Sequence, residues 1–233
     1  MKAFSRRTML VLPLVAALWG LMPNPAAADT FFTYSLGVGN SAISGFPGPY
    51  ATATVDLNSA GTSATITFTS LTNSGNIYLM GDGGSVAVNV NGAYTLGSIT
   101  GSNSGTGFTP GPYSDGGSGN EDGFGSFNQT INSFDGYTHS SDTISVVIDK
   151  SSGTWSDASL VLTPNSDGYS VAAHIFVTSS PADASNGALA TGFAANGTVV
   201  PEPSSLALGL LGVMGLGLAG LRRLVRRNPL ALA

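Results

Sequence analysis

Apolar and short polar side chains alternate residue by residue in Thr65-Ile66-Thr67-Phe68-Thr69 and in Ser85-Val86-Ala87-Val88-Asn89-Val90. A period of two places the apolar set on one face of an extended chain and the polar set on the other, so both segments read as half-buried β-strands. The same reading covers Phe31 to Val38, Ala51 to Leu57, Ile77 to Met80, Ala93 to Ile99, Thr143 to Asp149, Ser159 to Leu162, Tyr169 to Thr178, Thr191 to Ala194 and Thr198 to Val200. Clusters of Gly, Asn, Asp, Ser and Pro separate them, and pairs such as Asn91-Gly92 and Asp135-Gly136 supply the positive φ angles of tight turns. Many short strands, frequent turns and no amphipathic helical period predict an all-β body, an antiparallel β-sandwich of jelly-roll type.

Two segments are apolar without alternating, one at each end. Lys2, Arg6 and Arg7 precede the apolar run Met9 to Met22, and Ala26-Ala27-Ala28 precede Asp29. That is the layout of a secretory signal peptide, residues 1–28, with a short signal helix and cleavage between Ala28 and Asp29. Ser5-Arg6-Arg7-Thr8-Met9-Leu10 also resembles a twin-arginine signal, but the long apolar stretch favours the general secretory translocon and its signal peptidase. At the other end, the uncharged run Ser204 to Leu221 would rise about 27 Å as a helix, close to the roughly 30 Å hydrocarbon core of a bilayer. It is followed by Arg222, Arg223, Arg226 and Arg227, which would hold that end on the cytoplasmic side and act as a stop-transfer cluster.

The sequence between these ends, residues 29–200, is one domain's worth of chain. It holds eleven Asp and one Glu against the single base Lys150, a net charge of −11 that the whole-chain value of −5 conceals. With one lysine it has no means of releasing counterions from phosphates, which excludes nucleic acid as a partner. No cysteine occurs, so burial and hydrogen bonding must stabilise the body alone.

From Gly101 to Gly125 the chain is nearly all Gly, Ser, Asn, Pro and Asp, and reads as a long loop without structure of its own. Asp115, Glu121 and Asp122 place three hard oxygen ligands within eight residues, and the ion they would take is Ca²⁺. The stretch Gly116 to Phe124 faintly resembles a single turn of the Gly- and Asp-rich calcium-binding β-roll, with Glu121 where that repeat has Asp. A solvated loop with no ion is the alternative. Tyr113, Phe124, Phe127, Phe134, Tyr137 and Trp155 cluster around this loop. Exposed, they would suit sugar binding; Phe124-Gly125-Ser126-Phe127 and Ile131-Asn132-Ser133-Phe134 read more simply as core-facing residues of short strands.

Catalysis finds no support. His139 and His174 are the only histidines, and His174 sits inside a strand pattern where a partly buried, hydrogen-bonded ring is expected. There is no Gly-x-Ser-x-Gly elbow and no Cys or His cluster for zinc. No catalytic residue is therefore assigned, and the chain reads as a non-enzyme.

Pro201-Glu202-Pro203, the apolar segment behind it and the arginine cluster together resemble the PEP-CTERM sorting signal of Gram-negative bacteria, over residues 201–233. The resemblance implies that an integral-membrane exosortase, a cysteine transpeptidase, recognises the tripeptide, cleaves nearby and passes the protein towards the cell surface. It implies a precursor tethered in the inner membrane and facing the periplasm, and a mature form at the outer surface or in the extracellular matrix of an exopolysaccharide producer. A structural or adhesive surface protein is the first functional expectation; a lectin-like, Ca²⁺-assisted carbohydrate-binding module is the second.

Overall fold

The computed structural model describes residues 29–199. Along the chain run β1 (Thr30–Leu36), β2 (Val38–Gly39), β3 (Ala51–Leu57), β4 (Ser63–Ser70), β5 (Thr72–Asn73), β6 (Asn76–Met80) and β7 (Asp82–Val88). There follow β8 (Tyr94–Ser102), β9 (Ser114–Glu121), β10 (Gly125–Ser133), β11 (Thr143–Lys150), β12 (Val171–Ser179), β13 (Ala190–Ala195) and β14 (Thr198–Val199). The expected all-β, antiparallel architecture is present. A six-stranded sheet has the order β14-β1-β3-β4-β11-β8, and an eight-stranded sheet the order β2-β13-β12-β7-β10-β9, with β6 and β5 extending from β12. The element pairs are antiparallel throughout.

Alternation does what it implied. In β3, Ala51, Ala53, Val55 and Leu57 are buried while Thr52, Thr54 and Asp56 face outward, and β4 and β11 repeat the pattern with Ala64, Ile66, Phe68 and Ile144, Val146, Ile148. These inner faces meet Val86, Val88, Ile131, Ala173, Ile175 and Val177 of the eight-stranded sheet in one shared core, which closes the body with its own residues. Each buried Ile, Leu, Val or Phe side chain contributes on the order of 1.5–3 kcal/mol.

Strand β12 departs from alternation because it is buried on both faces. Its odd-numbered residues enter the shared core, whereas Ala172 and Phe176 belong to two smaller clusters on the opposite face. One gathers Ala87, Phe124, Phe127 and Ala195; the other gathers Leu79 and Ala182 with Phe108 and Tyr137 against it. The outer side of the eight-stranded sheet is thus covered by the tip of the β9–β10 hairpin and by connecting loops. The outer side of the six-stranded sheet has no such cover among the described residues.

Two expectations are corrected. Ser159 to Leu162 is not a strand: residues Ala158–Leu160 form a 3-10 turn, because the Asp157 carboxylate caps it by accepting from Ser159 N (2.9 Å) and Ser159 Oγ (2.7 Å). The stretch from 101 to 125 is not one structureless loop either. Strand β8 runs on to Ser102 and β9 occupies Ser114–Glu121, leaving an irregular connection only between them. The segment Ser114-Asp115-Gly116-Gly117-Ser118-Gly119-Asn120-Glu121 lacks every β-favouring side chain, yet its ladder to β10 is made by backbone groups. Glycine is needed at 119, where a Cβ would lie 2.8 Å from the Thr130 methyl.

Candidate functional site

The β9–β10 hairpin carries the acidic residues singled out above, and the structure separates them. Asp115 stands at the start of β9, where its Oδ1 accepts from Gln129 Nε2 (2.8 Å) and from Gly117 N (2.8 Å). Those two donors hold its carboxyl below the usual range. Six residues further on, about 20 Å along an extended strand, Glu121 points inward and is only 2 % exposed. Asp122 lies in the turn, where its carboxylate accepts from Asn40 Nδ2 (3.2 Å). Among the described residues no three His, Cys, Asp or Glu side chains gather around a point that would hold an ion. The three-carboxylate set read from sequence as a Ca²⁺ site is not assembled, because one member turns into the protein and another is engaged by its neighbours. Chelation with EDTA is therefore expected to leave the melting temperature of the 29–200 fragment within about a degree of its value in millimolar Ca²⁺; a larger drop, measured by differential scanning fluorimetry, would contradict this placement.

Glu121 is the most perturbed acid in the body. Burial pushes its carboxyl up to about 8, so it carries its proton at neutral pH. The niche is made by Gly84 on β7, which has φ +64, and whose missing Cβ would coincide with the carboxyl group. Lys150, the only lysine among the described residues, is elsewhere: its Nζ lies 4.4 Å from the centre of the Trp155 ring. Asp82 and His174 are the titratable groups on β7 and β12, and β10 carries none.

His174 stacks on Phe193 (centroids 4.5 Å apart, 14°) and on Phe176 (5.3 Å, 30°). Its Nε2 shares a hydrogen with Thr191 Oγ1 (2.8 Å), whereas Nδ1 is buried beside the Gly83 backbone without a hydrogen bond of good geometry. Burial lowers its pKa, so the ring is neutral at pH 7. The sequence reading of a partly buried ring holds; its full hydrogen-bonding does not. The other histidine, His139, ties the connection between β8 and β9 in place through Nδ1 and the Gly111 carbonyl (2.6 Å).

That connection also borders a cleft of about 220 Å³, floored by Ile77, Leu79 and Ala182 and rimmed by Ser104 and Asp142. The Asp142 carboxylate is already committed to it, accepting from Ser104 N (2.7 Å), Ser104 Oγ (2.6 Å) and Ser102 Oγ (3.3 Å). Asp142 therefore fastens the connection to the sheet.

The aromatic residues divide as follows. Phe124 and Phe127 are buried at 2 % and 1 %, so the core-facing reading is right for them; Trp155 is buried too, at 3 %. Phe134 is 55 % exposed, against that reading, since β10 ends at Ser133 and Asp135 turns the chain with φ 91. Tyr113 is half-buried with its hydroxyl on Ser141 Oγ (2.6 Å). Of the rings named here, Phe134 alone is exposed among the described residues.

Asp29, at the expected cleavage point, accepts from Ser59 N (2.8 Å). Ala28, Pro201, Glu202, Pro203, Arg222, Arg223, Arg226, Arg227 and the apolar run 204–221 lie outside the described residues, and no helix among the described residues is long and apolar enough to cross a membrane. No family model, no curated protein and no solved structure matches the chain.

Proposed function

We propose that this chain is an exported structural or adhesive protein of the cell surface or extracellular matrix, and a substrate rather than a catalyst. In this reading the translocon exports it, signal peptidase cuts after Ala28, and the 204–221 helix holds the precursor in the inner membrane with the four arginines inside. Exosortase then acts at Pro201-Glu202-Pro203. The observation that carries the reading is the order of parts after Val200: a short rigid tripeptide, an apolar segment of bilayer length and an arginine cluster.

The placement of the described ends is compatible with it. Strand β1 starts at Thr30, immediately inside the first proposed cut, and it pairs with β14 through Tyr34 and Val199, so the two ends of the described chain lie on neighbouring strands. Cutting at both places would leave every described residue of both sheets in one piece. Replacing Glu202 by Ala is expected to make the uncut precursor accumulate in the inner membrane fraction, at least fivefold over wild type. Mass spectrometry of the exported wild-type chain should find it ending near residue 200; an intact chain ending at Ala233, exported normally, would refute processing.

A further inference from the structure

The pairing register of the six-stranded sheet lines up hydroxyl side chains in a way that no stretch of sequence displays. Thr33 pairs with Thr54, Thr54 with Thr67, Thr67 with Ser145 and Ser145 with Thr100. One step along the strands, Ser35 pairs with Thr52, Thr52 with Thr69, Thr69 with Thr143 and Thr143 with Ser102. These ten residues form two complete rows across β1, β3, β4, β11 and β8, and every one is Ser or Thr. All face away from the core, because their sequence neighbours Tyr34, Ala53, Phe68 and Ile144 fill it. Thr69, Thr100 and Ser102 are exposed and the others half-buried. Neighbouring hydroxyls within a row are in contact: Thr33 Oγ1 with Thr54 Oγ1 at 3.1 Å and Thr67 Oγ1 with Ser145 Oγ at 2.9 Å.

The strand preference of threonine accounts for its presence here but not for the absence of charge. The same face accepts carboxylates outside the two rows, at Asp56 beside Phe31 and Thr65 in the next row and at Asp149 beside Ser63 and Thr95 one row further on. Inside the rows there is none, on a body of net charge −11. The opposite outer face is covered by Phe124, Phe127, Tyr137 and Ala182, so this is the broad sheet surface left open among the described residues.

We propose that the two rows are a docking surface for a neutral polysaccharide; the proposal rests on the surface and matrix reading above. Hydroxyls that both donate and accept, about 4.8 Å apart from strand to strand and about 7 Å from row to row, match a chain whose own hydroxyls do the same at regular intervals. The threonine methyls give its C–H faces something to pack on. An anionic chain is disfavoured by the net charge, and there is no charged side chain in the rows for a cationic one to pair with. Single hydroxyl contacts are weak, so binding is multivalent and grows with the length of the glycan.

The test is affinity electrophoresis of the 29–200 fragment in native gels cast with hydroxyethyl cellulose, dextran or the anionic polymer alginate. Retardation by at least one neutral polymer and none by alginate is expected. The double variant Thr54→Val, Thr67→Val keeps shape and strand preference, so it should retain the wild-type circular dichroism and melting behaviour while losing at least fivefold in apparent affinity. Thr52→Val with Thr69→Val should do the same, whereas Phe134→Ser, outside the rows, should leave retardation unchanged. Absence of retardation by every neutral polymer, equal retardation of wild type and both row variants, or retardation by alginate would each overturn the proposal. So would inhibition of ice growth without glycan binding, since the rows would then be ordering water. A chain that is processed and released yet binds no glycan removes this proposal alone; one that binds glycan but is exported uncut removes the sorting reading alone.

Discussion

Replacing Glu121 by Gln is expected to stabilise the body at pH 7 by about 3 kcal/mol and to change little at pH 4. The sign follows from the direction of the shift. Burial raises the folded carboxyl from 4.5 to about 8, so the native state holds a proton that the unfolded chain releases. Below pH 4.5 both states are protonated and the group takes nothing away. Between pH 4.5 and about 8 the unfolded chain ionises and the native state does not, so wild-type stability falls with rising pH by about 1.4 kcal/mol per unit from this group. Glutamine keeps the size and stays neutral, which removes that slope. Urea denaturation of the wild-type and Glu121→Gln fragments between pH 4 and 9 measures it; a difference that does not change with pH would mean Glu121 is not buried as a neutral acid. Gly84→Ala should destabilise both forms by about 2–4 kcal/mol, since it forces a Cβ at φ +64 into the space of the carboxyl.

Phe127→Ala is expected to cost about 3–5 kcal/mol. The ring is 1 % exposed and lies with Phe124, Ala87, Ala172 and Ala195 in the cluster outside the eight-stranded sheet. If that cluster is a second core, its loss lowers the denaturation midpoint sharply. Were the ring instead an exposed sugar-binding platform, the midpoint would hardly move and glycan retardation would fall. The contrast decides which of the two roles the aromatic residues around the hairpin play.

The strands with strict alternation were legible from sequence: Ala51 to Leu57 and Thr143 to Asp149 lie within β3 and β11 almost to the residue. Each has one face in the core and one outward, and a period of two reports that locally. Strand β9 was not legible, because Gly, Ser, Asn and Asp carry no strand preference and its backbone ladder to β10 is invisible in composition. The Asp157 cap was missed for a related reason. Ser159 to Leu162 has apolar residues at strand-like spacing, and the side chain that turns it into a 3-10 turn precedes the pattern. Asp115, Glu121 and Asp122 are close in sequence, but a carboxylate's neighbours across a sheet decide its protonation and its ability to bind an ion.

By itself the sequence determined the all-β class, the inward and outward faces of the alternating strands, the concentration of acid in the body, and the apolar and basic segments at the two ends. Those properties depend on residues within a few positions of one another. Only the tertiary structure decided that Glu121 is buried against Gly84, that β12 is covered on both faces, and that Thr33 and Thr100 end a single row of hydroxyls. Each of these depends on register between strands far apart in the chain, and a slip of one residue would turn every side chain to the opposite face.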